Sequence, residues 1–189
     1  MNESHNPWTI LAQRSVYENK WIGLTEYDVI NPGGGKGIYG KIRYKSIAIG
    51  ILPIDAAGNT WLVGQYRFPL DAYSWEIPEG GGDPAVPPVE SARRELLEET
   101  GLVAREWATL MEMHLSNSVS DEKAIVFLAR DLEQHEAEPE ETEQLVIRKL
   151  PFEEAYQMVQ RGEITDSMSV AGILKVKLML LHKELSFNE

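Results

Sequence analysis

Between Val89 and Thr100 the chain reads Val-Glu-Ser-Ala-Arg-Arg-Glu-Leu-Leu-Glu-Glu-Thr, in which three of the four carboxylates and one of the two arginines gather at helical spacing. Val89, Ala92 and Leu96 fall on one stripe of such a helix, the face to bury against a sheet. Glu95, Glu98 and Glu99 fall on another, with Arg94 at its border. Like charges three and four residues apart cost about 0.2–0.5 kcal/mol per pair in an isolated helix. A hard divalent cation reverses that cost. Most acidic helix faces are only solvated, but this one follows Trp75-Glu76-Ile77-Pro78-Glu79-Gly80-Gly81-Gly82, a strand running into a glycine loop. Such a loop lets backbone amides and carbonyls approach an ion or a phosphate. Strand, glycine loop and acid-faced helix together form a site that a solvated face does not explain.

The spacing has a family parallel. Gly80, five residues, Val86, seven residues and then Arg94-Glu95-Leu96-Leu97-Glu98-Glu99-Thr100-Gly101-Leu102 resembles the Nudix box of the Nudix hydrolases, G-x5-E-x7-R-E-U-x-E-E-x-G-U with U a bulky aliphatic residue. Every fixed position matches but one, Val86 standing where the first glutamate belongs. The resemblance implies an α/β fold, an α/β/α sandwich with a mixed β-sheet, in which the box forms loop, helix and loop. It also implies Mg²⁺-dependent hydrolysis, with Mn²⁺ possible, of a nucleoside diphosphate linked to another moiety. By position Glu95 and Glu99 correspond to the principal metal ligands, Glu98 contributes, and Arg94 orients the carboxylates. A main-chain carbonyl at Glu79 or Gly80 is the further ligand implied. Val86, without charge, is expected to pack between the glycine loop and the helix start.

Outside the box, Gln65-Tyr66-Arg67-Phe68-Pro69 and Trp75-Glu76-Ile77-Pro78 are similar to the branch that hydrolyses ADP-ribose and nucleotide sugars, where the arginine and the glutamate line the substrate cleft. Arg67 supplies a fork of donors for a diphosphate, and Glu76 accepts from a ribose hydroxyl or a base. That branch typically carries a proline some fifteen or sixteen residues past the box. Here Asn117 and Ser118 stand there, in a polar loop suited to sugar or phosphate contacts. The expected substrate therefore widens to nucleoside diphosphate sugars, with ADP-ribose and GDP-mannose leading. Dinucleoside polyphosphates or other nucleotides, and a sensor that binds a nucleotide sugar without cleaving it, are the alternatives. The general base in similar pyrophosphatases lies on a loop before the last strand, and counting back from Phe152-Glu153-Glu154-Ala155-Tyr156 places Glu141 and Glu143 there. Glu141 is the preferred base and Glu143 an auxiliary metal or water ligand, though the order is open to reversal.

Several elements must position these groups. Ser46 to Ile54 reads as a strand buried on both faces, Thr60 to Phe68 and Tyr73 to Ile77 as further strands, and Pro87 to Thr100 as a helix stopped by Gly101. Strands over Glu106 to Leu115, Lys123 to Ala129 and Leu145 to Leu150 follow, then helices over Phe152 to Arg161 and Ser167 to Leu185. Residues 1–45 form an N-terminal β-rich segment and 46–189 the hydrolase domain. The first contains strands over Trp21 to Ile30 and Ile38 to Tyr44, and Trp8, Trp21, Tyr27 and Tyr39 give it too much aromatic surface for a solvated tail. Similar hydrolases dimerise through this region, so a homodimer is expected. Gly33-Gly34-Gly35-Lys36-Gly37 lacks the Gly-Lys-Ser/Thr ending of a phosphate loop and reads as a hairpin turn.

Composition sets the outer bounds. With 189 residues and 43% hydrophobic content, the chain holds enough apolar matter for a real core. The absence of cysteine excludes disulfides, thiolate metal sites and a cysteine nucleophile. A net charge of −12 disfavours nucleic-acid and anionic-membrane partners, and requires that a phosphate substrate arrive with metal ions or meet arginines. The longest apolar run, Ile47 to Ile54, is too short to span a bilayer and no signal core precedes it, so a cytoplasmic location is expected.

Overall fold

The computed structural model describes residues 5–137 and 144–187. Its chain divides into two compact units, one of residues 1–46 with 114–122, the other of residues 47–113 with 123–189. The sequence division at residue 45 had left 114–122 with the larger domain.

The smaller unit is an antiparallel meander of β1 (Thr9–Glu18), β2 (Ile22–Ile30) and β3 (Lys36–Tyr44). The glycine stretch between β2 and β3 is a turn, as its composition predicts. Asn31 Oδ1 accepts from the N–H groups of Gly33 and Gly35, both at 3.0 Å, and Gly34 sits at φ 85°, where a side chain would strain the backbone. The 114–122 segment lies along β3: Ile42 N donates to the Val119 carbonyl at 2.8 Å, and Lys41 pairs with Asp121 at 2.9 Å. Strand β1 is exposed along its whole length.

The larger unit is built on β4 (Ile47–Pro53), β5 (Asn59–Arg67), β6 (Ala72–Glu76), β7 (Glu79–Gly82), β8 (Leu102–His114), β9 (Lys123–Gln134) and β10 (Val146–Pro151). A single 3-10 turn, Phe68–Leu70, links β5 to β6. Three helices complete it: α1 (Pro88–Thr100), α2 (Phe152–Gln160) and α3 (Ser167–Leu181). Four strands form a mixed sheet in the order β7-β4-β9-β8, with β4 and β9 parallel, and the other three form an antiparallel sheet β10-β5-β6.

The continuous apolar run in β4 has a direct physical reason. Side chains alternate across a strand, and here both faces are covered. Ile49 and Ile51 join Ile125 and Phe127 of β9 in one core with Ala92 and Leu96 of α1. Gly50 lies against Met168 of α3, and Gly172 of α3 lies against Val126 of β9. Helices on both sides of a mixed sheet make the α/β/α sandwich. Among the described residues no helix is long and apolar enough to cross a membrane.

Candidate active site

The box helix α1 starts where its sequence dictates. Pro88 occupies the first turn, where its missing N–H costs nothing. Gly101 ends it at φ 70°, its N–H donating to the Leu97 carbonyl at 2.8 Å. Ala92 and Leu96 are fully buried, and each such aliphatic group contributes about 1.5–3 kcal/mol at leucine size. That burial docks the helix and carries Glu95 and Glu99 inward with it, to 8% and 3% exposure. Glu98 stays further out.

Strand β7 receives these two carboxylates. The glycine stretch, expected as a loop, pairs antiparallel with β4 from Glu79 opposite Gly50 to Gly82 opposite Ile47. The Glu79 N–H donates to Glu99 Oε2 at 2.9 Å. The Glu95 carboxylate fills the space that a Cβ at Gly80 would take, so only glycine fits there. Arg94 spans the rim, donating to Glu98 Oε2 at 2.6 Å, to the Gly81 carbonyl at 3.1 Å and to Glu95 Oε1. Burial disfavours the Arg94 charge, but the carboxylates of Glu95 and Glu98 outweigh it and raise its pKa.

A second polar cluster lies at the other end of β7. Strand alternation and register put Gln65 and Arg67 of β5 on the same face as Glu76 of β6. Arg67 donates from Nε to both Glu76 oxygens at 3.0 Å, and from Nη2 to Glu76 Oε2 at 2.6 Å and Glu79 Oε1 at 2.5 Å. Gln65 Nε2 adds a longer bond to Glu76 Oε2 at 3.4 Å. Glu76 is only 3% exposed and is bonded to Arg67 and Gln65, so it stands behind the arginine and does not face open solvent. Burial disfavours the Arg67 charge too, but Glu76, Glu79 and Asp166 raise its pKa. Burial, helped by the nearby charges of Asp166 and Glu76, pushes the Glu79 carboxyl well above the usual carboxylate range.

The predicted site residues thus fall into separate groups. Arg94, Glu95, Glu98, Glu99 and Gly80 come together on α1 and β7, and Gln65, Arg67 and Glu76 come together on β5 and β6. Ser118 is exposed in the smaller unit, its carbonyl accepting from the Tyr39 hydroxyl. Glu141 and Glu143 lie outside the described residues. Val86 departs from its expected packing: it is 39% exposed, in a turn that Asp83 closes by accepting the Ala85 N–H on Oδ1 and the Val86 N–H on its carbonyl. A glutamate at this position is already well solvated in that turn. Val86→Glu is accordingly expected to leave kcat within threefold of wild type in steady-state assays, and a gain above tenfold would contradict this placement.

Sequence reasoning missed the Glu79 side chain and Asp166. Asp166 caps α3, Oδ2 accepting the Ser169 N–H and hydroxyl, both at 2.8 Å, while Ser169 Oγ accepts the Ile77 N–H at 2.9 Å. An aspartate before an apolar helix is a legible cap signal. The link through Ser169 to Ile77, between β6 and β7, joins residues some ninety positions apart and leaves no local trace.

Comparisons with known proteins identify the family. Residues 45–168 match the NUDIX domain model. An ADP-ribose pyrophosphatase of Mycobacterium tuberculosis is 34% identical over 170 residues, 88% of this chain and 81% of that protein. The chain belongs to the NUDIX family. Another relative, the ADP-ribose pyrophosphatase of Bacillus subtilis, is 28% identical over 89% of this chain and 91% of its own length. A crystal structure of an ADP compounds hydrolase superposes with a TM-score of 0.84 at 22% identity, covering 96% of this chain and 98% of the other, which shows that the two share a fold.

Nudix hydrolases use divalent metal ions, and the donor set here fits one. Among the described residues no three His, Cys, Asp or Glu side chains converge on one point. Mg²⁺ does not need that: it takes one or two carboxylates and completes its shell with water and substrate phosphate. Two buried carboxylates, one received into the Gly80 notch and one held by the Glu79 N–H, are such a set.

Proposed function

We propose that this protein is a divalent-metal-dependent pyrophosphohydrolase that splits the diphosphate of a nucleoside diphosphate sugar, ADP-ribose foremost, into a nucleoside monophosphate and a sugar phosphate. The observation that carries the reading is the burial of Glu95 and Glu99 together against glycine strand β7. A helix that sends two neighbouring carboxylates inward has a use for a cation. The relatives named ADP-ribose pyrophosphatase support the substrate class.

Mg²⁺ is the ion proposed, with Mn²⁺ as a substitute, held by Glu95, Glu99 and a Glu79 or Gly80 carbonyl, with Glu98 contributing. When bound, it supplies charge stabilisation at the phosphoryl oxygens and a lowered pKa for the attacking water. Arg94 keeps Glu95 and Glu98 oriented from the rim. Arg67 binds the diphosphate, its Nη1 being the guanidinium nitrogen with no bond among the described residues. Glu141 takes the proton of the attacking water and Glu143 assists, or the reverse. One P–O bond of the anhydride breaks as the water oxygen bonds to phosphorus, leaving two monoesters.

The enzyme is proposed to act in the cytoplasm as a homodimer. In the smaller unit Trp21, Ile38 and Tyr17 are all more than half exposed, apolar surface that a second copy would cover. Light scattering of active enzyme should report twice the 21.3 kDa chain mass, and a species of single-chain mass would overturn the dimer. The function itself is tested with a panel of ADP-ribose, GDP-mannose, dinucleoside polyphosphates and nucleoside triphosphates, read by phosphate release after phosphatase treatment. Preference for the nucleoside diphosphate sugars is expected; preference for the triphosphates would refute the substrate class.

A further inference from the structure

One residue touches both clusters of the larger unit. Glu79 opens β7, and its backbone N–H holds Glu99 Oε2 at 2.9 Å while its side chain holds Arg67 Nη2 through Oε1 at 2.5 Å. The side chain is itself backed from behind. Among the described residues its buried Oε2 has no N–H or hydroxyl directed at it, and the Asp166 carboxyl lies near the Glu79 side chain. Asp166 in turn is fixed by the α3 cap and through Ser169 to the Ile77 N–H. Arg67 is therefore gripped by Glu76 on one side and by Glu79 on the other, and it is the Glu79 grip that ties it to the strand lining the box helix.

We propose that the Glu79 side chain is a positioning residue, which sets the diphosphate-binding guanidinium of Arg67 against the box strand β7 and so fixes substrate placement relative to the metal carboxylates. The inference rests on the proposed function, because it needs Arg67 to meet substrate. It makes a demand that a merely structural glutamate does not. Substitution keeps the backbone N–H to Glu99, so the metal arm survives and only the Arg67 arm is lost. Loss of a contact used equally in ground and transition states appears in KM rather than kcat.

Glu79→Ala is expected to raise the KM for ADP-ribose about tenfold, with kcat changed less than threefold and the Mg²⁺ concentration for half-maximal rate changed less than twofold. Glu79→Gln, which keeps an oxygen for Arg67 and gains an N–H for Asp166, is expected to recover part of the loss, to about a threefold higher KM. In an Arg67→Ala background Glu79→Ala should add less than a twofold change, since the group it positions is gone. Additive effects, or a loss confined to Mg²⁺ activation, would overturn the inference. Wild-type turnover in the same assay tests the proposed function separately. Should wild type turn over no nucleoside diphosphate sugar, the same double-mutant cycle in thermal melts still reads the pairing: non-additive shifts support it and additive shifts refute it.

Discussion

Glu99→Gln is expected to lower kcat by about a hundredfold or more, the scale on which one electrostatic stabiliser of a transition state is lost. Glu99 is the most buried of the box carboxylates, and the N–H of Glu79 fixes one of its oxygens. The amide keeps that hydrogen bond and the side-chain volume but not the charge, so the fold should survive. The metal-free variant should melt close to wild type. Added Mg²⁺ should raise the melting temperature of wild type through binding linkage and raise that of the variant less. A variant with full activity, or one whose melting point rises with Mg²⁺ as much as wild type, would contradict the assignment of Glu99 as a metal ligand.

The second large effect is expected in the acidic run before β10. Hydrolysis needs a water deprotonated beyond what a bound cation achieves, and a carboxylate within reach completes it. Glu141 and Glu143 are proposed for this by their position in the sequence. In single-turnover experiments at saturating Mg²⁺ and substrate, Glu141→Gln or Glu143→Gln should slow the chemical step by roughly two to four decades with little change in substrate affinity. If both variants react like wild type, the run is a solvated face and Glu98, the outermost box carboxylate, becomes the base to test.

Much of the fold was legible in the residues. The box helix announced itself from Pro87 to the stop at Gly101, and the structure places its ends at Pro88 and Thr100. The unbroken apolar run of β4 signalled a strand covered on both sides, and α1 and α3 cover it. The first strand escaped notice because all ten residues of β1 are exposed, so no buried face imposes a period of two. Gly80 to Gly82 read as a loop because glycine carries no strand preference. Pairing with β4 supplies what side chains do not.

The site was legible where it is local and obscure where it is not. Glu95, Glu98, Glu99 and Arg94 lie within one turn and a half of helix, so spacing alone assigned their face. Arg67 and Glu76 were both singled out, each as a substrate contact, but their mutual ion pair depends on strand register and on a long side chain reaching back along the sheet. The role of Glu79 depends on Asp166, which only the packing of α3 brings near.

The central claim is that this chain hydrolyses the diphosphate of a nucleoside diphosphate sugar with a divalent cation held at the box. Phosphorus NMR of ADP-ribose incubated with the purified protein tests it most directly. With Mg²⁺ the two diphosphate resonances should disappear together and be replaced by those of AMP and ribose 5-phosphate in equal amounts, while excess EDTA should leave them unchanged. Persistence of the diphosphate signals in Mg²⁺, or their loss in EDTA at the same rate, would contradict the account.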